Sequence, residues 1–347
     1  MTTTNPPAAP AADRDRKAEH IRLALDRRMQ GAGHAFAHLE FPHCALPELD
    51  LAAVDSCTSF LDKELAAPLL ISCMTGGTDE AARINQNLAI GAERVGVALG
   101  VGSQRKALED AATRTTFEVR GVAPTIPLLG NLGAVQFNYG YGIDECREAV
   151  AMIDADALVL HLNPLQEALQ PEGDVNFAGL VPKIAAVVNE LEVPVVVKEI
   201  GMGISAEVAA TLREIGVKII DTAGAGGTSW ARIEAERADD LEIGELFADW
   251  GVRTSDSIRA VAALGDVTVI GSGGVRNGID VAKAIALGAD LVGLAYPFLQ
   301  AAIDSPDAVE ARLRRTIREL KICMFCTGAR TLSDLRQVEL IERGVRS

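Results

Sequence analysis

Aromatic residues are scarce, at 4% of the 347 residues. A surface that reads bases by stacking needs several together, so that mode of nucleic-acid binding is excluded. Positive charge is outweighed, with 33 Lys and Arg against 48 Asp and Glu and a net charge of −15. Binders of nucleic acid and of anionic lipid carry the opposite balance, so neither partner is expected. No apolar run reaches the ~20 residues of a membrane-crossing helix. Residues 1–12 have no basic start and no long apolar stretch, so no secretory signal is expected. The six cysteines (Cys44, Cys57, Cys73, Cys146, Cys323 and Cys326) are scattered, which fits reduced thiols and a cytoplasmic location. Cys323 and Cys326 have the spacing of a metal or redox pair. No second pair accompanies them, and they interrupt an apolar helical pattern, so a buried structural role is expected.

What the chain has is apolar mass and punctuation: 48% hydrophobic residues and 32 glycines. Residues 1–12, rich in Thr, Pro and Ala, read as a disordered tail. Residues 13–30 read as a helix with Arg16, Lys17 and His20 near its start, Arg16 and His20 sharing a face at a spacing of four. It opens an extension over 13–67. From residue 68, short apolar runs recur at 68–73, 97–101, 125–130, 157–162, 194–199, 217–222, 267–272 and 290–295. They are rich in Val, Ile and Leu and do not alternate, as in parallel strands covered on both faces. Helical patterns at 79–95, 143–154, 177–191, 205–215 and 277–288 separate most of them. Eight strand–helix units predict a (β/α)8 TIM barrel over 68–347 with C-terminal helices, an open doubly wound sheet being the alternative. The longest gap, 223–266, is an insertion after the sixth strand.

Chemistry in such a barrel sits where the strands end. Those ends are polar here: Met74-Thr75-Gly76-Gly77, Ser103-Gln104-Arg105, Asn131-Leu132-Gly133, His161-Leu162-Asn163-Pro164-Leu165-Gln166-Glu167, Lys198-Glu199, Gly226-Gly227-Thr228, Gly273-Gly274 and Ala295-Tyr296. His161 and Asn163 are two apart on a strand and share its face, Pro164 ends that strand, and Gln166 and Glu167 follow on a loop. Gly273 and Gly274 allow close backbone approach, and Asn277 can cap the helix behind them, so a phosphate is expected there, with Thr228 as a neighbour. Lys198 follows three valines to the barrel mouth and needs a negative partner. Glu167 becomes a magnesium ligand if a diphosphate lies beside it.

Taken in order from Arg16-Lys17-Ala18-Glu19-His20 to Gly271-Ser272-Gly273-Gly274, these motifs resemble the type 2, FMN-dependent isopentenyl diphosphate isomerases over almost the whole chain past the tail. The resemblance implies interconversion of isopentenyl and dimethylallyl diphosphates with reduced FMN and Mg2+, NADPH serving to reduce the flavin. It implies substrate contacts from Arg16, Lys17, His20, Ser103, Arg105, His161, Asn163 and Gln166, a metal ligand in Glu167, and an FMN site of Met74, Thr75, Gly76, Ser103, Asn131, Lys198, Thr228, Gly273, Gly274, Ala295 and Tyr296. Gln166 and Lys198 are the catalytic candidates it implies, Lys198 beside the anionic reduced ring. Tyr296 departs from the residue usual in that family. Tetramers or octamers are the family's usual assemblies, so a homo-oligomer is implied.

Two other readings stand beside this one. An FMN-dependent oxidoreductase of the α-hydroxy-acid oxidase type shares the barrel and the Gly-Gly turn but needs a histidine base near the sixth or seventh strand end. The histidines here are His20, His34, His38, His43 and His161, none of them in that region. A non-catalytic flavin-binding barrel has no need of polar residues at nearly every strand end.

Overall fold

The computed structural model describes residues 11–31 and 35–343, with side chains from residue 17 onward. The expected tail therefore lies outside the described residues except for its last two positions, which already belong to helix α1, Ala11–Leu25. That helix stops five residues short of the expected end. Asp26 caps a 3-10 turn, Arg27–Met29, by accepting from the Arg28 N–H, and the chain turns back toward the barrel.

Among the described residues eight parallel strands close into a barrel. They are β1 (Leu69–Ile71), β2 (Ala98–Gly100), β3 (Leu128–Gly133), β4 (Ala157–His161), β5 (Val195–Lys198), β6 (Ile219–Asp221), β7 (Thr268–Ser272) and β8 (Leu291–Leu294). The open-sheet alternative falls because β8 pairs with β1. Expected and observed strands agree to within two residues at their ends except β3, which starts and ends three residues later. Pro127 has no N–H to give a ladder, and its carbonyl instead accepts from Leu99.

Helix α2 (Asp79–Val95) starts where Thr78 caps the Ala81 N–H. Ile84, Leu88, Ala92 and Val95 recur at helical spacing and are buried. Helix α3 is the short Pro164–Leu169. The insertion after β6 holds helix α4 (Trp230–Ala238) and a further turn, Leu241–Leu246. Asn277 opens helix α5 (Gly278–Ala286) by accepting from both Ile279 and Asp280, the cap expected from sequence. Helix α6 (Pro306–Cys326) packs on α2 and α5. Cys323 and Cys326, on α6, are free thiols and only half buried.

The barrel divides its core into an inner and an outer part, and their separation follows from the two-residue period of a strand. Leu70, Ala98, Leu129, Ala157, Val159, Val196, Ile219, Ile270 and Leu291 point inward and form one cluster. Their neighbours, among them Leu69, Ile71, Leu128, Val195 and Val197, point outward and pack under the helices. A hairpin ahead of the barrel, Thr58–Phe60 paired with Lys63–Leu65, adds Phe60 and Leu65 to the inner cluster and so closes the floor. The barrel is therefore solid from below, and any ligand enters from the strand C-terminal ends. Replacing Phe60 by Ala opens that floor and should cost about 3–5 kcal/mol. A denaturant titration checks this, and a midpoint unchanged from the parent would contradict the floor assignment.

Candidate active site

The inward rows that are apolar at the floor turn polar at the mouth. Two residues beyond Leu70, Leu129, Val159, Val196, Ile219 and Ile270 stand Ser72, Asn131, His161, Lys198, Asp221 and Ser272. All but His161 are buried. Above this layer lies a cavity of about 290 Å3, open to solvent at its mouth. The residues that line it include every sequence-derived candidate except Gly76 and Arg16. The Arg16 side chain is outside the described residues. Gly76 lets the turn after β1 pack on Phe117: a Cβ there would lie 2.0 Å from that ring.

Hydrogen bonds fix the polar layer. Lys198 Nζ donates to the Glu199 carbonyl at 2.8 Å. The Glu199 carboxylate turns away and accepts from the N–H groups of Ile200, Gly201 and Met202, so the two side chains do not pair. Asp221 accepts from the Ser272 hydroxyl, and burial raises its carboxyl above the ordinary range. His161 Nδ1 lies 2.8 Å from Asn131 Oδ1. The Asn131 amide is oriented by a 3.2 Å bond to the Val101 carbonyl, which makes Nδ1 the protonated nitrogen. Burial, then Lys198, Arg105 and Lys17, pull the imidazole down to about 3. The ring is neutral near pH 7.

On the β6–β7 side two turns stack. Gly273 and Gly274 have φ of 104° and 69°, and any side chain at either would collide with the carbonyls of Gly224 and Gly226. Gln30, from the N-terminal segment, binds this corner. Its Oε1 accepts from Thr228 and Arg276, its Nε2 donates to Ala24 in α1, and the backbone on either side bonds to Gly227 and Ser229. Arg276 lies over the Tyr296 ring at 4.4 Å.

On the opposite side, the segment after β4 differs from the expected loop. Pro164 occupies the first turn of α3, where its missing N–H costs nothing, and Gln166 and Glu167 are helical. Glu167 is buried. Its Oε1 accepts from Asn163 at 2.7 Å, and its Oε2 accepts from Gln170 and from the Asp174 N–H. The Gln166 amide is pinned at both ends: Nε2 donates to Glu234 at 2.7 Å and Oε1 accepts from Asn163 at 3.0 Å. Glu234 on α4 is fully buried, lies 3.0 Å from His20 Nε2 and bonds Arg237 at 2.6 Å. Burial opposes its charge, yet His20, Gln166 and Arg237 hold its carboxyl below the ordinary range. Two cations close the rim: Lys17 Nζ reaches the Ser103 carbonyl at 3.1 Å, and Arg105 meets Asp174 at 2.9 Å.

Sequence reading missed Glu234, Arg237, Gln30 and Asp174. Glu234 and Arg237 sat in what read as a charged insertion. Only the helical spacing of three between them hinted that they share a face.

A depressed histidine contributes stability that is complete above its unfolded value near 6.5 and is lost as pH falls toward about 3, because only the unfolded chain takes up the proton in that window. The slope contributed by His161 should approach about 1.4 kcal/mol per pH unit. His161→Asn, which retains a donor toward Asn131, should flatten the stability profile between pH 6 and 4. Equal slopes in parent and variant would show that the ring is not held neutral.

The comparisons agree with this geometry. The FMN-dependent dehydrogenase family matches residues 175–342. Solved flavocytochrome b2 superposes with a TM-score of 0.68 at 18% identity, over 94% of this chain and 82% of that one. A mandelate oxidase gives 0.63 at 18%, over 94% and 92%. These likenesses concern the fold alone. Full-length relatives are much nearer. An isopentenyl-diphosphate delta-isomerase of Nostoc is 48% identical over 98% of this chain and 99% of its own. One from Synechocystis is 51% identical over 94% and 96%. The chain belongs to the isopentenyl-diphosphate delta-isomerases, in their FMN-dependent, type 2 form.

Proposed function

We propose that the two sides of the mouth divide the work: the β6–β8 side holds the phosphate of FMN and the α1–α3 side holds the diphosphate of the substrate. The reaction is the interconversion of isopentenyl and dimethylallyl diphosphates. The FMN contacts are Met74, Thr75, Gly76, Ser103, Asn131, Lys198, Thr228, Gly273, Gly274, Ala295 and Tyr296. The donor set suits the group: strained glycines at a helix N-terminus for the phosphate, and a buried ammonium at Lys198 for a ring that becomes anionic on reduction. The substrate contacts are Arg16, Lys17, His20, Ser103, Arg105, His161, Asn163 and Gln166.

Glu167 is proposed as the ligand of Mg2+. The fit rests on a buried orphan: Asn163 Oδ1 has no partner among the described residues, although its own amide nitrogen bonds Glu167. A hydrated cation at Glu167 satisfies that acceptor through a bound water, and Mg2+ commonly keeps waters beside one carboxylate and substrate phosphates. NADPH is proposed as the reductant of the flavin. We place the enzyme in the cytoplasm as a homo-oligomer. The apolar side chains Leu241, Leu246 and Trp250, exposed by 57, 76 and 62%, support an assembly surface. No helix among the described residues is long and apolar enough to cross a membrane.

Moving the double bond adds a proton at one carbon and removes one from another. Reduced flavin, when bound, supplies an electron-rich face beside the reacting carbons. The chain does the rest. Lys17 and Arg105 bind the charged end, far from the alkene, and that remote binding orients the reacting part. His161 stays neutral at the mouth, because burial first and then its three cationic neighbours disfavour the charged ring. Gln166 cannot flip without breaking two bonds, so it presents one fixed edge to the substrate. Lys198 balances charge on the ring.

The observation that carries this reading is the convergence of Lys17, Arg105, Asn163 and Glu167 on one rim, opposite the Gly273–Gly274 turn. The hydroxy-acid oxidase reading lacks its base: the inward positions at the ends of β6 and β7 are Asp221 and Ser272, not histidine. Purified protein with FMN, NADPH, Mg2+ and isopentenyl diphosphate, kept anaerobic, should form the dimethylallyl isomer. Absence of product, with oxygen-dependent turnover of a 2-hydroxy acid, would support the oxidase. Glu167→Gln should lower activity at least about tenfold and raise the Mg2+ needed. Its FMN affinity should stay unchanged, and a colourless variant would place Glu167 in the wrong role.

A further inference from the structure

The segment 170–174, Gln-Pro-Glu-Gly-Asp, lies against α3 closely enough that a Cβ at Gly173 would fall 1.8 Å from the Glu167 carbonyl. It contributes contacts at both ends. Gln170 donates to Glu167 Oε2, and the Asp174 N–H donates to the same oxygen at 2.7 Å. The Asp174 carboxylate faces the other way: its Oδ2 accepts from Arg105 Nη1 at 2.9 Å and from Gln136 Nε2 at 2.9 Å. The Asp174 and Arg105 side chains are 23 and 26% exposed. One residue therefore touches both the carboxylate assigned to the metal and the guanidinium assigned to the diphosphate.

We propose that Asp174 is a positioning residue for the metal–diphosphate unit. It rests on the roles given above to Arg105 and Glu167. A free arginine samples many rotamers, and fixing one on ligand binding weakens affinity. A guanidinium carries five N–H groups, so a bond to Asp174 leaves donors for a phosphate. Among the described residues Arg105 has one other carboxylate near it, Glu109 at 3.7 Å, too far for a hydrogen bond. The Asp174 side chain thus supplies the contact that orients Arg105, while its backbone N–H sets Glu167. Because both originate in one residue, the separation between cation clamp and metal ligand is fixed before substrate arrives. Gln136, the second donor on Asp174 Oδ2, keeps that carboxylate from following Arg105 into solvent.

The opposite account is that Asp174 merely neutralises Arg105 and competes with the diphosphate. A double-mutant cycle on the FMN-loaded protein separates the two, with inorganic pyrophosphate plus Mg2+ as the probe and calorimetry as the readout. Asp174→Asn should weaken pyrophosphate binding about tenfold, the size of one charge-assisted hydrogen bond. Arg105→Ala should weaken it at least as much. The double variant should bind no worse than Arg105→Ala alone, because Asp174 acts through that arginine. With isopentenyl diphosphate, Asp174→Asn should raise KM and leave kcat near the parent value. Tighter or unchanged pyrophosphate binding by Asp174→Asn overturns the proposal, and so do additive losses. An Arg105→Ala variant that binds pyrophosphate normally overturns it too, and locates the fault in the substrate assignment of Arg105. Should Asp174→Asn fail to fold, Gln136→Leu, which frees the same carboxylate from its other side, replaces it in the cycle with the same non-additive outcome expected.

Discussion

The two-residue period of the barrel strands is the constraint on which the rest depends. A strand that packs an apolar side chain into the barrel floor must aim its next inward side chain at the mouth. Leu129 and Asn131, Val196 and Lys198, and Ile270 and Ser272 are such pairs. Shifting any strand by one residue would bury its polar group under the helices and expose its floor residue to the ligand. The apolar floor and the polar mouth are therefore specified together. The hairpin residues Phe60 and Leu65 seal the floor, so the Lys198 ammonium lies in a site reached only from above.

The N-terminal segment is the second structural device. Gln30 binds Thr228 and Arg276 on the side assigned to FMN and Ala24 in the helix that carries Lys17 and His20. His20 in turn stands edge-on to Trp230 at 5.3 Å and beside Glu234, both on α4. The insertion after β6 thus packs against α1 and α3, and its buried carboxylate fixes Gln166. Charge is distributed to match: the cations Lys17, Arg105 and Lys198 surround the cavity of a chain whose net charge is −15. An anionic substrate is attracted by this local arrangement, not by the overall field.

The barrel was legible in the sequence because buried parallel strands show as short runs of Val, Ile and Leu between glycines and prolines. Strand ends were legible for the same reason, since a run that stops at Lys198 or His161 marks the residue at the mouth. Three features were not. Pro164 reads equally as the end of a strand or the first residue of a helix, and only the packing of Glu167 decides for the helix. The stop of α1 at Leu25 depends on the cap by Asp26, a local choice that hydrophobic spacing does not reveal. Glu234, Gln30 and Asp174 act on partners 68, 198 and 69 residues away, at Gln166, Thr228 and Arg105, and a single sequence carries no signal for such pairs.

The central claim is that this mouth moves a double bond with a reduced flavin and leaves no net oxidation behind. Counting dimethylallyl diphosphate formed against NADPH consumed, in one anaerobic vessel with FMN and Mg2+, tests it most directly. Product far in excess of NADPH, continuing after NADPH consumption has stopped, is the result this account predicts. One NADPH oxidised for each product molecule, or no product from fully reduced enzyme, would contradict it.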